Sequence, residues 1–153
     1  MNLSRDFTLK ELTRTDVRGI DNTPTSDVVE NLKNLCTKVL QPVRDHFHKP
    51  ITPHSGYRSL EVNRQIGSKD TSQHILGEAV DFEIKGLDNY DVACWIRDNL
   101  DFDQLILEYH VPGDPSSGWV HVSYVRDGVY RNYGNRKECL TINNMGRIKG
   151  LVR

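Results

Sequence analysis

The chain has 153 residues, with 20 lysines and arginines against 21 aspartates and glutamates and a formal net charge of −1. This length fits one domain with an ordinary core, and the balanced charge excludes an overall basic field of the kind that attracts nucleic acid or anionic membranes. No apolar run approaches the roughly 20 residues that a membrane-spanning helix needs, and the first residues show no signal segment. We therefore expect a soluble monomer, made in a cytoplasm, that binds neither nucleic acid nor membrane.

The N-terminal part of the chain predicts an arm followed by a long helix. Residues 1–25 are polar and favour an arm with a short helical turn. From Asp27 to Val43 apolar residues recur every three or four positions, which is typical of a helix with one buried face. Pro42 removes a backbone donor, so we expect the helix to kink or restart there. Three widely spaced cysteines predict free thiols, namely Cys36, Cys94 and Cys139.

The middle of the chain alternates between strand and helix patterns. Strands are predicted near residues 51–57, 79–84, 105–109 and 119–126. Shorter helices are predicted over residues 59–66, with a serine cap, and from Asp88 or Asn89 to Leu100. The pattern predicts a single α+β domain over residues 1–153, with a mostly antiparallel sheet flanked by helices.

The C-terminal part has weaker signals. The Asp127-Gly128 pair is typical of a hairpin turn. Residues 129–131 and 139–142 then predict edge strands. The remaining residues, 143–153, are basic, and we expect them to form a mobile tail.

One stretch holds a histidine and an aspartate seven residues apart, His74 and Asp81, on either side of Gly77. Apolar alternation around Asp81 predicts a strand whose open face carries the carboxylate. A tight turn at Gly77 could therefore bring imidazole and carboxylate to one ion. His121, in a second alternating run, supplies a third ligand. Two neutral imidazoles and one carboxylate fit a zinc site with an open fourth position, the arrangement of hydrolytic zinc sites.

Three motifs in chain order resemble the M15 family of zinc peptidases: Ser55-Gly56-Tyr57-Arg58-Ser59, Ser72-x-His74-x-x-Gly77-x-Ala79-x-Asp81 and Trp119-x-His121. The similarity covers nearly the whole chain and is greatest to the branch of D-Ala-D-Ala carboxypeptidases and phage endolysins. The resemblance implies the α+β fold of that family and one Zn²⁺ per chain. It also implies hydrolysis of peptide bonds in the stem peptides of bacterial peptidoglycan.

The position of the general base differs from the position that part of the family uses. In several M15 members it lies three residues before the last histidine, where this chain has Gly118. We assign the base to Glu108, the only carboxylate inside the strand that precedes the His121 strand, provided that both side chains share a sheet face. Asp114, in the connecting loop, is the second candidate. The alternative for Glu108 is a charged residue that ends an edge strand without a catalytic role.

Three residues near these motifs are candidates for contacting the substrate. The guanidinium of Arg58 can bind a substrate carboxylate or polarise the scissile carbonyl, and a surface salt bridge is the alternative. Tyr57 and Ser72 can line the cleft, although a tyrosine is more often a core residue and a serine more often forms a turn.

The resulting interpretation is a phage lytic enzyme, made in the host cytoplasm without a signal peptide, that acts on peptidoglycan in the periplasm or cell wall. It would be a carboxypeptidase or an L-alanyl-D-glutamate endopeptidase. Two alternatives stay open. The first is a zinc-stabilised domain that binds peptidoglycan or another partner without hydrolysis, and the second is an intracellular peptidase for small D-Ala-D-Ala dipeptides. Glu108 discriminates between enzyme and binding domain.

Overall fold

The computed structural model describes residues 1–128 and 134–153. Its N-terminal arm begins with two short paired strands, β1 (Asn2–Ser4) and β2 (Phe7–Thr8), which lead into the expected helical turn, α1 (Leu9–Thr13). Thr8 and Glu11 form a reciprocal capping box at the start of α1, which explains why the helix begins there.

The predicted long helix is continuous and has three parts: α2 (Ser26–Leu35), a π-helical turn (Cys36–Leu40) and α3 (Gln41–Phe47). The expected irregularity at Pro42 takes the form of the π-helical turn. Its wider hydrogen bond joins the Gln41 N–H to the Cys36 carbonyl immediately before the proline. All three cysteines are free, as predicted, and burial raises the pKa of the Cys36 thiol to about 12.

The main sheet has six strands: β3 (Thr52–Ser55), β4 (Ala79–Glu83), β5 (Gln104–Glu108), β6 (Trp119–Ser123), β7 (Glu138–Asn143) and β8 (Gly146–Lys149). Their order across the sheet is β3-β4-β6-β5-β7-β8. The β5–β7 pair is parallel, and the other neighbouring pairs are antiparallel. The prediction of an α+β fold with a mostly antiparallel sheet is therefore confirmed.

Two shorter helices are present, α4 (Leu60–Gln65), which follows its predicted cap, and α5 (Asn89–Asn99), which begins where it was predicted; a 3₁₀ helix spans Gln73–Leu76. Ser59 accepts a hydrogen bond from the Val62 N–H, and Asp88 accepts one from the Tyr90 N–H. Within residues 1–128 and 134–153, no helix combines the length and the apolar character needed to cross a lipid bilayer.

The two faces of the main sheet have different roles. One face is buried in a core that it shares with α2, the π-helical turn and α5, and its central side chains are Val80, Phe82, Leu105, Val120 and Val122. Because successive side chains in a strand point to opposite faces, Asp81, Ile106 and His121 lie on the other face. That second face carries the cleft described below.

The C-terminal residues correct two expectations. Strand β7 is not an edge strand, because β8 pairs with it and forms the edge instead. Residues 143–153 are therefore not a free tail. The Thr141 side chain donates to the Gly150 carbonyl and accepts from the Val152 N–H, which fixes the end of β8 to β7. Basic residues are a common feature of edge strands, which explains why composition suggested a tail. The strand predicted at residues 129–131 lies outside the described residues.

Candidate metal centre and cleft

Strand pairing places two of the predicted metal ligands directly opposite each other. In the β4–β6 pair Asp81 faces His121, and Asp81 Oδ1 lies 2.9 Å from His121 Nδ1. His74 lies in the 3₁₀ helix that precedes β4, and its Nε2 is 3.4 Å from Asp81 Oδ2. One ligating atom from each residue lies within 4.8 Å of the other two, so the cluster could hold a single metal ion.

The His74 ring is oriented by a backbone carbonyl. Its Nδ1 lies 2.7 Å from the Gly56 oxygen, which can only accept a hydrogen bond, so Nδ1 carries the proton and Nε2 faces the cluster. A Cβ on Gly56 would lie 2.4 Å from the Leu12 carbonyl oxygen, and glycine therefore permits this close packing. Burial lowers the pKa of His74, which favours the neutral imidazole that metal ligation requires.

The predicted tight turn between His74 and the strand is present at Gly77. This residue has φ +72°, and a Cβ there would lie 2.8 Å from Val28 Cγ1. Burial alone would raise the pKa of Asp81, but its hydrogen bond with His121 and the adjacent His74 ring hold that pKa well below its usual range. The cluster therefore presents one buried negative charge between two imidazoles, a donor set that fits a divalent cation.

Glu108 lies beside the cluster on the same face of the sheet. The β5–β6 register pairs Ile106 with His121 and Glu108 with Trp119, so Glu108 is the diagonal neighbour of His121. The Trp119 Nε1–H donates to Glu108 Oε2 at 2.7 Å. Burial and the negative charge of Asp81 raise the pKa of Glu108. A carboxylate held in this way can accept and release a proton next to the metal cluster.

Arg58 borders the cluster on the other side. Its backbone N–H donates to the His74 carbonyl at 3.0 Å. Its Nε is buried and has no hydrogen-bond partner among the described residues. Burial lowers the pKa of Arg58, whereas Asp81 and Glu108 raise it, and the guanidinium remains charged. An unpaired buried donor is costly, which indicates a position that an anion or carbonyl from outside the protein could fill.

The metal cluster, Glu108 and Arg58 line one cleft of about 590 Å³. Ser72 also lines it, and the Ser72 Oγ accepts a hydrogen bond from the His74 N–H at the start of the 3₁₀ helix. Ser72 thus contributes to the cleft wall and fixes the segment that carries His74.

Two other candidates lie away from the cleft. Tyr57 is only 7% exposed and packs in the hydrophobic core, whereas its neighbour Arg58 lines the cleft. The structure therefore does not place Tyr57 among the residues that line the cleft. Asp114 is exposed in the β5–β6 connection, where it accepts a hydrogen bond from Ser116, and it does not line the cleft. Glu108 remains the candidate base.

Several cleft residues escape the sequence patterns. Trp119 belongs to a recognised motif, but its hydrogen bond to Glu108 follows from the strand register. Gln104 could have been identified, because it shares the period of two with Glu108 along β5. Ile142 and Arg147 line the cleft from β7 and β8, and only the long-range pairing of those strands brings them there.

Comparison with protein families matches residues 5–123 to the family described as Peptidase M15. The match includes the metal cluster, Arg58 and Glu108, whereas β7 and β8 lie beyond it. No curated protein shows a significant match to the chain.

The backbone explains why Gly118 cannot carry the base. Gly118 has φ +68°, and a Cβ there would lie 2.0 Å from the Glu108 carbonyl oxygen and 2.6 Å from the Tyr109 carbonyl carbon. Both obstacles are backbone atoms that cannot rotate away. No side chain fits at this position while the β5–β6 pair keeps its geometry.

We expect Gly118→Ala to destabilise the protein by about 1–3 kcal/mol more than Gly113→Ala, because overpacking adds to the cost of a left-handed backbone. Gly113 is the matched control, since its φ is +87° but a Cβ there would meet no atom within 4 Å. Urea unfolding of both variants gives the two free energies of unfolding. Equal losses would contradict the proposed steric exclusion.

Proposed function

Since the chain belongs to the M15 peptidase family, we propose that it is a zinc-dependent peptidase that hydrolyses peptide bonds in the stem peptides of bacterial peptidoglycan. We propose further that it is a phage lytic enzyme with carboxypeptidase or L-alanyl-D-glutamate endopeptidase specificity. The observation that carries the proposal is a His-Asp-His cluster beside a partly buried carboxylate in one cleft.

The three clustered residues would hold the zinc ion. His74 Nε2, a carboxylate oxygen of Asp81 and an imidazole nitrogen of His121 are the ligand types that zinc prefers, and three protein ligands are typical of catalytic zinc. When bound, zinc supplies a Lewis acid that polarises the scissile carbonyl and makes water more acidic. The hydrogen bond from His74 to Gly56 supports this assignment, because metal-binding histidines commonly donate their second N–H in this way.

Glu108 is the proposed general base. Glu108 Oε2 accepts the hydrogen bond from Trp119, so Oε1 is the oxygen that accepts a proton from the attacking water. The water oxygen bonds to the carbonyl carbon, the C–N bond breaks, and the proton moves from Oε1 to the leaving amine. Burial and the charge of Asp81, which raise the pKa of Glu108, support the first step, since a carboxylate of higher pKa takes the proton from water more readily.

Arg58 is the proposed anchor for the substrate. Its unpaired Nε and its planar guanidinium suit either a carboxylate of the peptide or the negative charge that develops on the scissile carbonyl oxygen. Its backbone bond to His74 keeps the guanidinium close to the proposed zinc ligands.

A second candidate function is a domain that binds peptidoglycan and keeps zinc for stability without hydrolysis. The feature that favours it is Gly118, which stands where several family members carry the base. The Glu108 test below separates the two functions.

The first prediction concerns zinc. We expect elemental analysis of the purified protein to give close to one zinc per chain, and a large loss in His74→Ala. His54→Ala is the control, because His54 pairs with Glu83 at 2.8 Å outside the cluster. Full zinc retention by His74→Ala would contradict the assignment, as would a fourth protein ligand in a zinc-bound structure.

The second prediction concerns the base. Glu108→Gln keeps the side-chain shape but removes the basic oxygen, so we expect hydrolysis to fall about 10²- to 10⁴-fold, with folding and zinc content retained. The assay is release of peptide fragments from purified peptidoglycan, followed by mass spectrometry at matched zinc occupancy. Glu83→Gln is the control, because Glu83 lies on the same sheet face but outside this cleft.

A fully active Glu108→Gln variant would remove Glu108 as the base. A wild-type protein that binds peptidoglycan but releases no fragment would favour the binding domain. The masses of the released fragments identify the bond that is cut and so separate the carboxypeptidase from the endopeptidase.

The third prediction concerns Arg58. We expect Arg58→Ala to lower turnover about 10²- to 10³-fold, because it removes a fixed donor from the transition state, while thermal stability changes little. Arg58→Lys should restore little activity, since an ammonium lacks the planar fork. Arg64→Ala is the control, because Arg64 pairs with Asp70 on the surface. Full activity in Arg58→Lys would reduce the role of Arg58 to that of a point charge, and an unchanged rate in Arg58→Ala would exclude it from the site.

A further inference from the structure

Strands β7 and β8 contribute a wall of the cleft on the far side of β5 from the strands that carry Asp81 and His121. Ile142 of β7 and Arg147 of β8 both line the cleft. This wall lies beyond residues 5–123, the part of the chain that matches the M15 family. The family match therefore accounts for the proposed catalytic residues but does not account for this wall.

Strand register sets the distance between Arg147 and the proposed base. Glu108 pairs with Ile142 in the β5–β7 ladder, and Ile142 pairs with Arg147 in the β7–β8 ladder. The three residues thus form one row across the cleft face. Neighbouring strands lie about 4.8 Å apart, which puts the Arg147 backbone roughly 10 Å from that of Glu108. The apolar Ile142 side chain separates the two charges.

The guanidinium of Arg147 has no acidic partner within the described part of the protein. The Arg147 side chain is exposed, and within residues 1–128 and 134–153 it forms no hydrogen bond or ion pair. Arg136, which also lines the cleft, differs because its Nε and Nη2 bind the two carboxylate oxygens of Asp103 at 2.9 and 3.0 Å. Arg147 therefore offers an open guanidinium fork to a ligand in the cleft.

We propose that Arg147 binds a free carboxylate on the substrate peptide, two or three residues from the cleaved bond, and so selects acidic stem peptides. This inference rests on the proposed function, because it names a feature of the same substrate. An extended peptide advances about 3.3 Å per residue, so roughly 10 Å corresponds to about three residues, or two when the arginine side chain reaches back. A planar guanidinium binds a carboxylate through two parallel hydrogen bonds.

The test measures binding separately from hydrolysis. The probes are soluble peptidoglycan stem peptides freed from glycan, used either in native form or after their carboxylates are converted to amides with carbodiimide and excess ammonium. Dissociation constants are measured by calorimetry on the zinc-loaded full chain in the Glu108→Gln background, where turnover is slow. Amidation also removes any carboxylate that Arg58 recognises. The informative quantity is therefore, for each probe, the ratio of the dissociation constants measured with and without the Arg147 substitution.

For the native peptides we expect Arg147→Gln to weaken binding about tenfold, the equivalent of one charge-assisted hydrogen-bonded pair. For the amidated peptides we expect no difference between Arg147→Gln and the background protein. Lys149→Gln is the matched control. Lys149 lies two residues from Arg147 on the same strand and loses the same charge, but it does not line the cleft. Its dissociation constants should equal those of the background protein.

Unchanged binding of native peptides by Arg147→Gln would overturn the inference, as would equal losses in Arg147→Gln and Lys149→Gln, or a loss that persists with amidated peptides. Thermal unfolding checks that the variants fold. If Arg147→Gln does not fold, Arg147→Lys carries the same comparison with a smaller expected loss. A wild-type chain that hydrolyses nothing would refute the proposed peptidase, whereas the calorimetry still decides the role of Arg147.

Discussion

The antiparallel pairing of β4 with β6 is the interaction on which the rest of the site depends. It sets Asp81 opposite His121 on the cleft face, while Val80 and Val122 enter the core on the other face. A slip by one residue in either strand would exchange the two faces of that strand and bury a charged ligand. The apolar packing that stabilises the fold therefore also determines the geometry of the metal cluster. The cluster and the core lie on opposite faces of the same pair of strands.

Much of this arrangement is encoded locally. His74, Gly77 and Asp81 lie within one short stretch, so turn chemistry and a period of two suffice to predict that His74 and Asp81 converge. His121 lies close to both, on a strand whose alternation of apolar and polar residues is equally regular. The face of Glu108 depended on a register that no local pattern gives, and the structure supplies it through the Glu108–Trp119 pair.

The parts that sequence did not predict depend on contacts between distant segments. The parallel pairing of β5 with β7 joins residues more than 30 positions apart, and a strand pattern alone does not identify its partner. Without that pairing, the basic residues of β8 have the composition of a solvated tail, and Arg147 shows no relation to the cleft. Tyr57 shows that adjacency in a motif does not fix the direction of a side chain, because it follows Gly56 and precedes Arg58 yet packs in the core.

Two hydrogen bonds cross between the Gly56–Arg58 segment and the 3₁₀ helix. His74 donates from its ring to the Gly56 carbonyl, and Arg58 donates from its backbone to the His74 carbonyl. The histidine proposed as a zinc ligand and the arginine proposed to bind the substrate are thus held together by these two hydrogen bonds. Any coupling free energy between ion binding and peptide binding is reciprocal. A peptide that tightens ion binding is therefore itself bound more tightly once the ion is present. Where that coupling is favourable, removal of the ion by a chelator weakens the binding of a substrate analogue, although the two compounds contact different atoms.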